Sequence, residues 1–178
     1  MKTRFASFML CCILPTCGSL ANADQAPAAA ASTSAARDAE YNPQNPFARI
    51  LRGELMTNKV YEDDYVLAFL SLDQTTPGHV LVISKSSKAQ NIMQMSARDF
   101  TRVMLVAQRI AKAQIKALHA GGVVLRQNNG ATGGQTVFHL HVHVEPRWDN
   151  EIPEFAHDAN GKLDRTALAA KIAAALGP

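Results

Sequence analysis

The sequence predicts an α+β domain, with a mostly antiparallel sheet of about five strands, a common sheet size, one long helix and a C-terminal helix. Three observations support this fold class. Apolar and polar residues alternate through the end of segment 133–147, as in a β-strand. Apolar residues recur at helical spacing through residues 96–119. The 178 residues suffice for one ordinary domain and a mid-sized core, but not for two.

The first 23 residues have the features of a bacterial secretory signal peptide. A short basic start, Met1 to Arg4, precedes the apolar run Phe5 to Leu14, and Ala21-Asn22-Ala23 is a small-x-small cleavage site. The apolar run is too short, and too closely followed by Pro15, for a stable membrane span. We therefore expect cleavage after Ala23 and export, to the periplasm.

The cysteine content and the net charge further restrict the kinds of protein and partner that the sequence allows. All three cysteines, Cys11, Cys12 and Cys17, lie within the predicted leader, so the mature protein would form no disulfide. A lipoprotein attached through Cys17 is the second possibility, although Pro and Thr before it suit that signal poorly. Removal of the two basic residues of the leader lowers the formal net charge from +3 to +1. With no basic stripe remaining, a nucleic-acid polymer is not expected as a partner.

The next elements follow from local patterns. Residues 24–40 are Ala-rich without periodicity and are predicted to be a disordered linker. Residues 45–54 predict a short helix that leads into the domain. The β-rich runs 59–62 and 65–70 flank Asp63-Asp64 and predict a hairpin. After a loop over residues 71–77, the apolar run 78–83 predicts a central strand.

The second half of the chain contains the long helix and two further strands. Ser96 with Asp99 forms a capping-box-like start of the helix, and Gly121-Gly122 is expected to stop it. Residues 123–127 predict a strand that turns back through residues 128–130, and residues 164–176 predict the C-terminal helix. The helix residues expected to pack on the sheet are Phe100, Val103, Met104, Ala107, Ile110, Ala111 and Ile115.

Three alternating histidines occupy the strand near the end of the domain. Because side chains on a strand point to opposite faces in turn, His139, His141 and His143 should form one row. The opposite, core-facing row is predicted to hold Val137, Leu140, Val142 and Val144. A purely structural row would need hydrogen-bond partners for three buried imidazoles, which makes an active site the better interpretation.

Two chemistries fit such a row. His-x-His pairs suit zinc, and Glu145 would continue the row as an oxygen ligand. The mature chain would contain no Cys, and its other histidines are isolated, which disfavours this reading. Alternatively, an imidazole can attack phosphorus and form a covalent phosphoramidate. The Gly-rich segment 130–136 supplies backbone amides, a side-chain amide and a hydroxyl for phosphate oxygens. We therefore prefer nucleophilic catalysis without a metal or other cofactor.

The segment HLHVHVE, residues 139–145, resembles the motif of the histidine-triad (HIT) nucleotide hydrolase and transferase family. Gln135-Thr136 matches the family's GQ[ST]V lead-in, and the similarity extends over roughly residues 45 to 148. Glu145 departs from the pattern, because that position is usually apolar. We accordingly assign residues 41–150 to a HIT domain and residues 151–178 to a C-terminal extension with a helix.

The resemblance implies hydrolysis or transfer at the α-phosphate of a nucleotide conjugate by a homodimer. His141 would be the nucleophile, and His139 and His143 would orient it, protonate the leaving group and stabilise the phosphate. Asn128, Gln135 and Thr136 are expected to contact phosphate oxygens. The family Asp that binds the ribose maps to Ser71, and Asp73 could replace it. Two other classes stay open: a periplasmic metal-binding protein or metallohydrolase, and a non-catalytic nucleotide-binding HIT domain.

Overall fold

A computed structural model describes residues 40–149, 152–155, 157–158 and 160–177. The predicted signal peptide and nearly all of the predicted linker lie outside the described residues. No helix among the described residues is both long and apolar enough to cross a bilayer. The helices are α1 (Pro46–Leu51), α2 (Ala97–Leu118) and α3 (Arg165–Ala175), with a 3₁₀ turn at Ala131–Gly133. The strands are β1 (Lys59–Glu62), β2 (Val66–Leu70), β3 (Val80–Ser84), β4 (Gly122–Arg126) and β5 (His141–Arg147).

The five strands form one antiparallel sheet in the order β1-β2-β3-β5-β4, which confirms the predicted α+β class. The predicted hairpin is present, because β1 and β2 pair in antiparallel fashion. At its turn, Asp63 Oδ1 accepts hydrogen bonds from the backbone amides of Tyr65 and Val66, both at 2.7 Å. This Asx-type turn satisfies the donors that the reversal exposes. The apolar strand β3 lies at the centre of the sheet, as predicted, and pairs with β2 and β5.

The long helix begins where the sequence indicates. Ser96 is the N-cap, and its hydroxyl accepts the backbone N–H of Asp99 at 3.1 Å. The stop differs in detail, because His119 rather than a glycine adopts the left-handed conformation, with φ of 53°. The Trp148 indole N–H donates to the carbonyl of Leu118 at 3.1 Å and satisfies one carbonyl of the last turn. For this helix, the prediction that Ile115 faces the core is wrong: Ile115 is exposed, whereas Gln114 beside it is buried.

Two apolar clusters lie on opposite faces of the sheet. The larger one fills the space between the sheet and the helices α2 and α3, and Val142 and Val144 belong to it. The smaller one lies on the other face, beneath α1, and contains Phe47, Leu67, Phe69, Leu81 and Ile83. Because both faces are covered, β2 and β3 are buried along their whole length.

The prediction that Val137 belongs to the core-facing row with Val142 and Val144 is wrong. It packs against the smaller cluster, on the face opposite Val142 and Val144. The strand begins only at His141, so the period-two alternation does not extend back to Val137.

The predicted C-terminal helix is present and belongs to the folded unit. The side chain of Asp164 caps α3 by accepting the backbone amides of Thr166 and Ala167, both at 3.0 Å. Its buried residues, Leu168, Ala169 and Ile172, join the larger cluster. Helix α3 thereby packs against α2 and β1 and covers the sheet face opposite the histidine row.

Candidate active site

The first histidine of the row is a buried bridge between distant segments. His139 is 1% exposed and lies just before β5. Its Nε2 lies 3.2 Å from the carbonyl oxygen of Ser84, which can only accept, so the neutral ring carries its proton on Nε2. Its Nδ1 then accepts the hydroxyl of Tyr41 at 2.7 Å. Burial lowers the pKa of His139 to about 4, and both of its nitrogens are already engaged.

The second histidine has one ring nitrogen without a hydrogen-bond partner among the residues that the structure describes. His141 Nδ1 donates to the carbonyl of His139 at 2.7 Å, which assigns the proton to Nδ1 and leaves the Nε2 lone pair available. The ring of Phe47 contacts it edge-on, with centroids 5.0 Å apart. Burial is the main cause that lowers the pKa of His141, so the ring is neutral at pH 7. A neutral, oriented imidazole at the wall of a cavity is suited to nucleophilic attack.

The third histidine belongs to a chain of hydrogen bonds that the sequence did not reveal. His79 Nδ1 donates to the carbonyl of Asp73 at 3.0 Å, and its Nε2 lies 2.9 Å from His143 Nδ1. The two rings are stacked, with centroids 5.1 Å apart. Burial, followed by the charge of neighbouring imidazoles, lowers the pKa of His143 to about 4. In the neutral pair His143 donates to His79, and the Nε2 of His143 is then a proton acceptor.

His79, His141 and His143 lie at the wall of a cavity of about 530 Å³, whereas His139 does not line it. This volume is in the range that small-molecule sites occupy. Phe47, Phe69 and Leu81 contribute an apolar wall. Of the residues predicted from the sequence to bind the substrate, Ser71, Asp73, Asn128 and Thr136 line the cavity together with His141 and His143.

Gln135 occupies a different position from the other predicted contacts. It is buried, and its Oε1 accepts the backbone N–H of Gly130 at 2.8 Å. Its Nε2 donates to the carbonyls of Gln90 at 2.5 Å and Val137 at 3.0 Å. These three bonds hold the Gly-rich loop in shape, so Gln135 braces the loop, and its direct contact with phosphate stays a prediction.

Close packing in the same loop explains why position 134 is occupied by glycine. Gly134 has φ of +81°, and a Cβ there would lie 2.8 Å from Nδ2 of Asn128. The Asn128 Nδ2 donates to the Gly134 carbonyl at 3.0 Å, which keeps the amide against the loop backbone. Only glycine permits both the positive φ and this approach.

A buried carboxylate follows the row. Glu145 is 3% exposed and accepts hydrogen bonds from Arg126, with 2.6 Å between Nη2 and Oε1, and from Arg147 through its other oxygen. The cluster Arg126–Glu145–Arg147 is hereafter the clasp. His79 and Arg126 were not among the site residues predicted from the sequence. The usable signals were the position of His79 at the start of a strand neighbouring the row, and the apolar-to-acidic departure at Glu145, which demanded a basic partner.

Among the described residues, one group of side chains is arranged so that it could hold a cation. Atoms of His79, His143 and Glu145 lie within 4.8 Å of one another, so a metal would use this set rather than the three histidines of the row. Two imidazoles and a carboxylate suit zinc. However, the two rings are at hydrogen-bonding distance from each other, and both oxygens of Glu145 are occupied by guanidinium groups.

An antiparallel α+β domain whose central sheet presents His-x-His-x-His to a Gly-rich loop defines the class of histidine-triad proteins. The chain belongs to the HIT domain family, whose sequence model matches residues 52–150.

Individual relatives agree with this assignment. An uncharacterised HIT-like protein of Borreliella burgdorferi is 41% identical over 107 residues, 59% of this chain and 76% of that protein. The adenylylsulfatase HINT3 of Arabidopsis thaliana is 33% identical over 127 residues, 68% of this chain and 62% of that protein. The crystal structure of a HIT-like protein involved in cell-cycle regulation from Bartonella henselae is 36% identical, with a TM-score of 0.67. It covers 76% of this chain and 98% of its own.

Proposed function

We propose that this protein hydrolyses nucleotide conjugates, or transfers their nucleotidyl group, at the α-phosphate. The observation that carries the proposal is the bond from His141 Nδ1 to the carbonyl of His139, which leaves the Nε2 lone pair of a neutral ring at the cavity wall. Membership of the HIT domain family and similarity to an adenylylsulfatase support chemistry of this kind.

The first half of the reaction is a substitution at phosphorus. Nε2 of His141 forms a bond to the α-phosphorus, the bond from phosphorus to the leaving group breaks, and that electron pair departs with the leaving group. When the pair of His143 and His79 carries one extra proton, Nε2 of His143 can pass a proton to a basic leaving atom. The product is a nucleotidyl-histidine.

The second half returns the enzyme to its starting state. Water attacks phosphorus and the bond to His141 breaks, which releases the nucleoside monophosphate. The proton of the water passes to Nε2 of His143, and the charge is shared with His79, whose Nε2 lies 3.8 Å from the carboxylate of Glu145. An alcohol or phosphate acceptor in place of water would make the same protein a transferase.

The remaining cavity residues divide between the parts of a nucleotide. The apolar wall with Phe47 and Phe69 is suited to a base. Ser71 and Asp73 lie on the loop beside it, where a hydroxyl or a carboxylate can bind ribose hydroxyls. Thr136, Asn128 and the amides of the loop are available for phosphate oxygens.

The decisive experiment measures product release by metal-free protein treated with a chelator. Adenosine 5′-phosphoramidate, adenylyl sulfate and diadenosine tetraphosphate are the substrates, and mass spectrometry follows AMP and the nucleotidyl-protein adduct. His141→Ala should reduce AMP release by more than about 10³-fold, as removal of a nucleophile does in other enzymes. His157→Ala removes an exposed histidine and is the matched control. Equal rates in His141→Ala and wild type would refute the mechanism.

A metal site stays the second candidate because His79, His143 and Glu145 lie within reach of one ion. In that case the chelated protein would be inactive and zinc would restore turnover at one ion per chain. His79→Asn would lower zinc affinity, whereas His141→Ala would not. No turnover with or without zinc, but measurable AMP binding, would identify a non-catalytic nucleotide-binding domain.

We further propose a homodimer formed through the β4 edge, and export through the N-terminal leader. Strand β4 ends the sheet, with Val124 43% and Leu125 44% exposed, and Leu105 of α2 is also exposed. An edge strand with apolar side chains is a ready site for pairing. Leu125→Asp should shift the sedimentation coefficient from dimer to monomer. Fractionation of the source cells, with N-terminal sequencing, would test cleavage after Ala23.

A further inference from the structure

The clasp places a buried acid between two arginines at the end of the catalytic row. Glu145 lies on β5 two residues beyond His143, and Arg126 pairs directly with His143 in the register of β4 and β5. Side chains of directly opposed residues on one face of a sheet lie within about 5.5 Å at their Cβ atoms. A guanidinium is therefore fixed beside the imidazole that faces the leaving group in the proposed reaction.

Charge is not balanced within the clasp. Burial alone would raise the pKa of Glu145, but the hydrogen bonds from Arg126 and Arg147 outweigh it and lower the pKa below its usual value. Glu145 is thus ionised at neutral pH. Two guanidiniums and one carboxylate leave one net positive charge at this end of the row.

The surplus charge reaches the cavity through Arg126. Arg126 is the one lysine or arginine among the described residues that line the cavity, and its side chain is 48% exposed. Its Nη2 is bound by Glu145, which holds the planar group while leaving further N–H donors for a ligand. After burial and the neighbouring imidazole of His79, its charge also contributes to the lowered pKa of His141.

The need to neutralise Glu145 does not by itself explain why Arg126 lies at the cavity wall. Arg147 already binds the second carboxylate oxygen and does not line the cavity in the described part of the chain. An arginine that faces an enclosed site with spare donors is suited to phosphate, sulfate or carboxylate groups, which it can bind with two parallel bonds.

We propose that Arg126 binds an anionic leaving group and gives the enzyme a preference for substrates that carry one, with Glu145 as its positioning residue. This inference rests on the proposed function. As His141 Nε2 bonds to the α-phosphorus, the bond from phosphorus to the leaving oxygen breaks and its electron pair stays on that oxygen. Arg126 stabilises the negative charge that develops there. Substrates whose leaving group is ammonia make no such contact.

The test compares two substrates that share the adenylyl group and differ in the leaving group. Adenylyl sulfate releases sulfate, and adenosine 5′-phosphoramidate releases ammonia. Arg126→Met should lower kcat/KM for adenylyl sulfate by about 10-fold to 100-fold, the usual range for one charge-assisted contact. The phosphoramidate value should change less than about threefold, within ordinary mutational variation. Arg126→Lys should restore part of the preference, and Glu145→Gln should lower the same ratio, which a purely structural role would leave unchanged.

Arg98→Met makes the same chemical change at an exposed position on α2 and is the control. Equal losses on both substrates, or no loss on either, would overturn the assignment of Arg126.

A second measurement separates this failure from failure of the proposed hydrolysis. Wild-type protein should bind ADP more tightly than AMP, and Arg126→Met should remove the difference, whether or not either substrate is turned over. If wild type turns over neither substrate but shows this preference, hydrolysis is refuted and the anion site stands. If ADP and AMP bind equally to wild type, the anion site is refuted.

Discussion

His139 should make the protein unstable in acid, because its ring is neutral in the fold and protonated in the unfolded chain. Both ring nitrogens are committed, Nε2 to the carbonyl of Ser84 and Nδ1 to the hydroxyl of Tyr41. Protonation would add a second N–H at Nδ1 and a charge in a position that is 1% exposed. The substitution that tests this is His139→Gln, which keeps an amide donor for Ser84 and cannot be protonated.

The size of the effect follows from the pKa. Burial lowers the pKa of His139 from 6.5 to about 4, which corresponds to about 3 kcal/mol at ~1.4 kcal/mol for each pH unit. Between these two values the unfolded state binds more protons than the folded state. The free energy of unfolding should therefore be fully retained above pH 6.5 and fall as the pH decreases toward about 4.

Urea unfolding at half-unit steps from pH 7 to pH 4 measures this, with the fluorescence of the single Trp148 as a probe. The difference in unfolding free energy between pH 7 and pH 4 should be about 3 kcal/mol smaller in His139→Gln than in wild type. His157→Gln, at an exposed position, should retain the contribution of His139. Parallel curves for wild type and His139→Gln would show that His139 is not held neutral by burial.

Other perturbations give further expected outcomes. Gly78→Ala should lower the unfolding free energy by about 1–3 kcal/mol in urea titration, since φ is +87° and the new Cβ would lie 2.5 Å from Cδ1 of Leu118. Ile172→Ala should cost about 2–5 kcal/mol by the same assay, because Ile172 is fully buried, whereas Ile152→Ala, at an exposed position, should cost little. Burial lowers the pKa of His141, the proposed nucleophile, from its usual 6.5, so the acid limb of a kcat/KM profile for adenylyl sulfate should have its midpoint below that value. A midpoint above 6.5 would contradict the burial of this ring.

Much of the fold could be predicted because its signals are local. The hairpin at Asp63 depends on a side chain that binds amides two and three residues away. The N-cap at Ser96 acts on the amide of Asp99. Periodicity predicted most of the buried face of α2, but it placed Ile115 inward and missed Gln114, whose amide donates to the carbonyls of Gly78 and Val144. A buried glutamine has no apolar signature, so only its distant partners explain it.

The candidate site could be predicted only in part. Alternation pointed to the three histidines, and the Gly-rich lead-in pointed to the loop beside them, because both are patterns within a few residues, but His139 lies just before β5 and not on it. Tertiary contacts then give the three rings different roles. Tyr41, 98 positions away, engages His139, and His79, 64 positions away, engages His143.

The sequence by itself determined the strands, the long helix and the alternating spacing of the three imidazoles, although β5 begins only at His141 and leaves His139 before the strand. Only the tertiary structure decided which imidazole nitrogen is free, since that depends on which donors and acceptors the fold brings to each ring. Both nitrogens of His139 have partners, Tyr41 in the N-terminal segment and Ser84 of β3, whereas within the described part of the chain His141 is hydrogen-bonded through Nδ1 alone, to the nearby carbonyl of His139. The tertiary structure also decides why a carboxylate can be buried at Glu145, because β4 brings Arg126, 19 residues away in the sequence, within hydrogen-bonding distance of it. Hydrogen bonds and ion pairs act over a few ångströms of space, whatever the separation along the chain.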